Sequence, residues 1–188
     1  MGSTSKHRPA HQSTRDFVAD MFDLRYEVLD VAIVERATAY VALRNTATGL
    51  VKAVVVLIGH TPNSYFNIWY KDMTEAGGPG RCACPRRILD LLSPVEDLYG
   101  TPDPDGENAA ACAAEWRARC HARLAHRQAV RATCKAGQPV TFGSPVHYND
   151  GTHYTELVWT GKSNLFRVPA DGGFVRVRSW RDRVVVPA

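Results

Sequence analysis

The sequence predicts an α+β protein: an antiparallel sheet with short helices in the N-terminal half, then one long helix, then a run of short C-terminal strands. Three observations predict this. Residues 26–59 contain three apolar runs of strand length, the last two separated by the turn at Asn45 to Gly49. Residues 107–132 hold no proline or glycine and repeat Cys112, Trp116, Cys120 and Leu124 at four-residue steps, one buried stripe of a helix. After Gly137 the turn signals come close together, at Asn149-Asp150-Gly151, Gly161, Asp171-Gly172-Gly173 and Arg181-Asp182.

The elements follow in order. Residues 1–12 are polar and read as a flexible lead. Ser13 to Asp16 has capping-box form, and Phe17, Val18, Met21 and Phe22 continue at helical spacing, which predicts a helix over Thr14 to Asp23. Strands are expected at Tyr26 to Glu35, Ala37 to Arg44 and Leu50 to Gly59, the last nearly all apolar and therefore central. His60 to Tyr65 reads as a loop, Phe66 to Tyr70 as a short extended piece, and Thr74 to Gly80 as a turn-rich loop. Pro85 starts a helix with Ile88, Leu89, Leu91 and Leu92 on its apolar side, and Ser93-Pro94 ends it. Residues 13–98 thus form one α+β domain, 99–106 (YGTPDPDG) a linker, and 107–134 the long basic helix. Residues 135–188 hold five expected strands, at 138–142, 155–159, 166–169, 173–178 and 183–186, and predict a small, partly open barrel similar to an SH3-like fold.

Bulk properties narrow the setting. The chain has 188 residues, 45% hydrophobic and 22% charged, enough for one domain or two small ones with a real core. A net charge of +4 permits a polyanionic partner and argues against a DNA mimic. The odd count of cysteines (Cys82, Cys84, Cys112, Cys120 and Cys134), with no apolar export segment at the N-terminus, predicts a reducing cytoplasm. The longest apolar run, Val51 to Ile58, is broken by Lys52 and is too short to span a bilayer, so no membrane is expected.

Between Tyr65 and Leu92 a set of motifs comes in order: Tyr65, Tyr70-Lys71-Asp72-Met73, Gly78-Pro79, Cys84-Pro85 and the ILDLL run at Ile88 to Leu92. Trp116-Arg117 and Cys120 follow, and His7-Arg8-Pro9 precedes the first helix. With these motifs the chain resembles an uncharacterised family of small phage and plasmid proteins, a domain of unknown function. The resemblance covers about residues 6 to 183 and is strongest at 65–120. It implies a mobile-element origin, which with the cysteine reading makes the expected compartment the host-cell cytosol, and it implies no established activity. The chain departs from the family in an insertion at Asp97 to Asn108, and in Ser3, where the family often has tryptophan.

Four groups of residues are candidates for function. Tyr70, Lys71, Asp72 and Glu75 would make a small acid–base site if the Gly77 to Gly80 loop closed over them. The alternative is a structural turn, since no nucleophile–base pair stands beside them. Cys82 and Cys84 lack the second pair that a four-ligand zinc site needs, and the histidines are scattered, so no metal and no cofactor are expected. Cys84, just ahead of Pro85, is either an activated thiolate at a helix start or a buried thiol.

The fourth group is basic. Arg119, Arg123, Arg127 and Arg131 recur every four residues on the long helix, and Arg176, Arg178, Arg181 and Arg183 cluster around Trp180 near the C-terminus. Arginines beside an exposed aromatic suit nucleic acid or an acidic protein surface. The plain alternative is a solvated helix face and a charged edge strand. The sequence therefore favours a non-enzymatic accessory protein that binds nucleic acid. An inhibitor of a host anti-phage defence factor and a small enzyme built on Tyr70, Lys71, Asp72 and Glu75 are the alternatives. The oligomeric state is not encoded in any motif.

Overall fold

A computed structural model describes residues 3–8, 11–22, 24–35, 37–60, 67–77, 81–103 and 108–186 of the chain. The expected loop beyond His60, the Gly78 to Gly80 turn, and residues 104–107 of the expected linker and helix start lie outside the described residues. The chain divides into two compact units, Met1–His121 and Ala122–Ala188, and the boundary falls inside the long helix.

The first unit is built on a five-stranded antiparallel sheet in the order β1-β5-β4-β3-β2. Its strands are β1 (Ser3–His7), β2 (Tyr26–Glu35), β3 (Thr38–Asn45), β4 (Val51–His60) and β5 (Asn67–Thr74). The apolar β4 lies in the middle, where both faces are covered, as its continuous run of valines requires. Asn45 shapes the β3–β4 turn: its Oδ1 accepts from the N–H groups of Ala47 and Thr48, and Gly49 takes the positive φ of 74°.

Two expectations change here. Residues 3–7, expected in a flexible lead, pair along β5 and form the sheet edge. Residues 71–73, which follow the expected extended piece, and Thr74, expected to open a loop, continue β5, because β4 is long enough to pair with them.

Helix α1 (Thr14–Ala19) covers one sheet face, burying Phe17 and Val18 against Val41, Leu43, Val54, Val56 and Tyr70. Ser13 caps it, accepting from the Asp16 N–H at 3.1 Å. The helix stops at Asp20, earlier than expected, and Met21 and Phe22 pack against the core outside it. The other face carries Tyr40, whose ring lies 6.2 Å from Trp116, and Tyr40 Oη both donates to the Arg81 carbonyl and accepts from the Ala83 N–H.

Helix α2 (Arg86–Leu89) starts after Pro85, as expected, and buries Ile88 and Leu89, whereas Leu91 is exposed. A short helix α3 (Val95–Tyr99) follows Pro94, in a stretch read as helix end and insertion. Helix α4 (Ala109–Thr133) is capped by Asn108, whose Oδ1 accepts from the Ala111 N–H at 2.7 Å. Trp116 and Cys120 of the expected stripe are buried, whereas Cys112 and Leu124 are half-buried.

The second unit contains the last part of α4 and a four-stranded antiparallel sheet, β6 (Pro139–His147), β7 (His153–Trp159), β8 (Leu165–Arg167) and β9 (Phe174–Arg176), in sequence order. No closed barrel forms among the described residues. The fifth expected strand reduces to one bridge, Phe142 to Val184, because the chain coils through a 3-10 turn at Trp180–Asp182 just before it. The register of β6 on β7 shifts between Thr141 and Val146, a stretch that includes Gly143 and Pro145, as bulged strands commonly do. There the Gly143 N–H reaches the Arg183 carbonyl at 2.8 Å. Phe142, Leu157, Phe166, Val177 and Trp180 form the core of this unit, joined by Val130 of α4.

Candidate nucleic-acid interface

The second unit gathers the C-terminal end of the arginine row around one carboxylate. Asp182 sits in the 3-10 turn and accepts two hydrogen bonds from Arg123, Nε to Oδ1 at 3.0 Å and Nη2 to Oδ2 at 2.7 Å. This fork-on-carboxylate geometry fixes both side chains, which are half-buried. Arg127 approaches the same carboxylate with Nε 3.7 Å from Oδ1, an ion pair too long for a hydrogen bond.

Arg181 belongs to the same neighbourhood. Its guanidinium lies over the Trp180 ring at 4.5 Å and over the Trp159 ring at 5.9 Å. Burial, and then the charges of Arg131 and Arg127, pull its pKa below the ordinary value, so these guanidiniums feel one another directly. Neither Arg131 nor Arg181 has a hydrogen-bonded or ion-paired carboxylate among the described residues. Among the described residues Arg123 and Arg127 pair with Asp182, and Arg131 and Arg181 add further positive charge in the same neighbourhood.

Trp180 differs from its expected role as an exposed stacking surface. It is 3% exposed, donates from Nε1 to the Ser163 carbonyl at 2.9 Å, and packs edge-on to Phe166 at 5.3 Å. A tryptophan is large and apolar enough that a small unit places it in the core, and here it serves as the floor under Arg181. Trp159, 5.1 Å from Trp180 between ring centres, is the half-buried partner that the sequence did not single out. Arg176 on β9 and Arg178 in the following turn are exposed, with Val177 buried between them. Arg183 is turned to the protein, donating to the Pro145 carbonyl at 2.9 Å. Arg119 lies on the part of α4 in the first unit, where it meets Glu115 at 3.4 Å across one helical turn.

The proposed acid–base cluster does not assemble. Strand alternation puts Tyr70 and Asp72 on the α1 face, opposite Ile58 and Val56, and Lys71 on the other face. Tyr70 is buried in the core. Burial pushes the Asp72 carboxyl up, with Lys52 opposing, and among the described residues no donor meets Asp72 Oδ1.

Glu75 stands apart from these three. It is fully buried, and Arg117 holds it through Nε at 2.7 Å and Nη2 at 3.0 Å. Tyr99 Oη and the Ala53 N–H also donate to it. Arg117 and Trp116 thus belong to the interior of the first unit. The sequence marked both partners of this pair but gave no sign that they meet, since 42 positions separate them.

Cys84 is 1% exposed, and burial, then Cys120 and Glu75, push its thiol well up, so it is a buried thiol and not an activated one. No disulfide joins the cysteines. Among the described residues no three His, Cys, Asp or Glu side chains converge as they would on a metal, and no helix is long and apolar enough to cross a membrane.

Residues 107–180 match the family model described as a domain of unknown function (DUF6927). The match takes in α4 and the strands β6 to β9, and so contains every arginine of the cluster except Arg181, which follows it directly. No curated protein and no solved structure matches the chain.

Proposed function

We propose that the protein is a non-enzymatic accessory protein of a phage or plasmid, working in the host cytoplasm, whose C-terminal unit binds nucleic acid. The observation that carries this reading is the surplus of guanidiniums around Asp182. Like charges held together without counter-charge repel, and a polyanion relieves that repulsion while releasing its own counterions. Arg131 and Arg181 would take the phosphates, with the exposed Arg176 and Arg178 extending the contact along the strand. Arg123, already forked onto Asp182, holds the surface in shape. The register shift in β6 and the Phe142 to Val184 bridge support reading the four-stranded sheet as an SH3-like module with one side left open.

A second reading is favoured by the stacking of Arg181 on two tryptophans. Arginine is a usual anchor of a protein–protein contact, and Arg181, held over the buried Trp180 and beside the half-buried Trp159, would suit an acidic patch on a host anti-phage defence factor.

Fluorescence anisotropy with labelled duplex DNA, single-stranded DNA and RNA separates the two. The nucleic-acid reading predicts micromolar or tighter binding at low salt that weakens steeply as salt rises. No binding at low salt to any of the three would move the assignment to the protein partner.

A further inference from the structure

We propose that His147 and His153 form a binding site for a divalent transition-metal ion of the class that prefers imidazole: zinc, nickel or copper. The inference rests on the β6–β7 hairpin alone and is independent of the nucleic-acid reading.

The hairpin is set by its turn. Asn149, Asp150 and Gly151 close it, with Gly151 at φ 85° and Asp150 Oδ1 accepting from the Thr152 N–H at 2.9 Å. The Tyr148 N–H bonds the Thr152 carbonyl at 2.9 Å, so the next pair outward from the turn, His147 and His153, is a non-hydrogen-bonded pair. In such pairs the side chains stand closest across the ladder.

Alternation then decides the face. Val146, Tyr148 and Tyr154 pack on the core of the second unit, and the two histidines project from the opposite side, both exposed. Their ring centres are 5.6 Å apart, with the rings tilted by 31°. A ring nitrogen bound at about 2.0–2.1 Å places each ring centre about 3 Å from the ion, so two imidazoles on one tetrahedral ion stand roughly 5–5.5 Å apart. The pair is within a small rotation of that arrangement.

Neither histidine has a hydrogen-bonded partner among the described residues, so no existing contact must break for the nitrogens to turn to a metal. Among the described residues no third protein ligand joins them there, which leaves the remaining positions to water or to an exogenous donor, the pattern of an exchangeable ion and not a structural one. The six-residue separation of the two histidines carries no metal-motif spacing. The juxtaposition comes from strand register.

The test is a nickel titration of the isotope-labelled full chain followed by amide NMR. Nickel serves as the probe because its paramagnetism marks the residues near it. The expected result is broadening of the amides around Val146 to Tyr154 at equimolar or lower nickel, with apparent affinity at least tenfold weaker in His147→Gln and in His153→Gln. The rest of each variant's spectrum should overlay the parent's, which shows that the hairpin still folds. Broadening centred elsewhere, no broadening at equimolar nickel, or an unchanged hairpin response in either folded variant would overturn the assignment.

Discussion

Arg117 reaches Glu75 with two nitrogens, Nε to Oε2 at 2.7 Å and Nη2 to Oε1 at 3.0 Å, while its Nη1 donates to the Ser93 carbonyl at 2.6 Å. The pair ties α4 to the end of β5 and to the turn before α3, through a carboxylate with no solvent contact. Removing one partner leaves a buried charge unanswered. Glu75→Ala should therefore cost about 3–5 kcal/mol in chemical denaturation. A double replacement by apolar residues of similar size, Glu75→Leu with Arg117→Met, should recover most of that loss, because it removes both desolvated charges together. A single substitution as damaging as the double would contradict the pairing.

The arginines of α4 should sort by partner and not by position. Arg123→Ala breaks two charged hydrogen bonds to a half-buried carboxylate and should lower stability by about 1–3 kcal/mol. Arg131→Ala removes an exposed side chain and should change stability by less than about 0.5 kcal/mol. Thermal unfolding of the two variants side by side checks this.

Asp182 has the opposite sign for stability and for binding. Asp182→Asn removes the counter-charge of Arg123 and Arg127, so melting should come earlier. The released positive charge should tighten nucleic-acid binding several-fold and steepen the log–log salt slope by about 1. Weaker binding by a folded Asp182→Asn protein would argue that the carboxylate positions the contact.

Asp72 sets a pH dependence. Burial favours its protonated form in the folded state above the ordinary value of 3.8, with Lys52 opposing. The folded protein thus binds this proton more tightly than the unfolded chain, and stability falls as pH rises through the raised value. Asp72→Asn should melt higher than the parent at neutral pH, and the gain should vanish near pH 3, where the carboxyl is protonated in both states. Melting curves across that range measure it. A constant difference at all pH values would remove the charge from the explanation.

The legible parts of this chain were local. The β2 run, the Asn45 to Gly49 turn, the Ser13 cap, the Pro85 helix start and the long α4 each follow from residues within one turn or one strand. What was not legible depended on pairing over distance. β1 is polar and becomes a strand only because β5 offers it an edge. The Tyr70, Lys71, Asp72 and Glu75 cluster looked compact in sequence, yet a strand sends alternate side chains to opposite faces, and Glu75 was claimed by Arg117. Trp180 stands among arginines in the sequence, which suggested exposure, and the second unit spent it on its core. Asp182 read as a turn residue between two arginines and turned out to organise two others from α4.

The measurement that tests the central claim most directly is the salt dependence of nucleic-acid binding by the parent and by Arg131→Ala with Arg181→Ala, followed by fluorescence anisotropy. Arg131 and Arg181 are the cluster members with no hydrogen-bonded or ion-paired carboxylate among the described residues, so both should contact phosphate, and the double variant should stay folded, bind more weakly and lose about 2 from the log–log salt slope. An unchanged slope in a folded double variant would contradict the account.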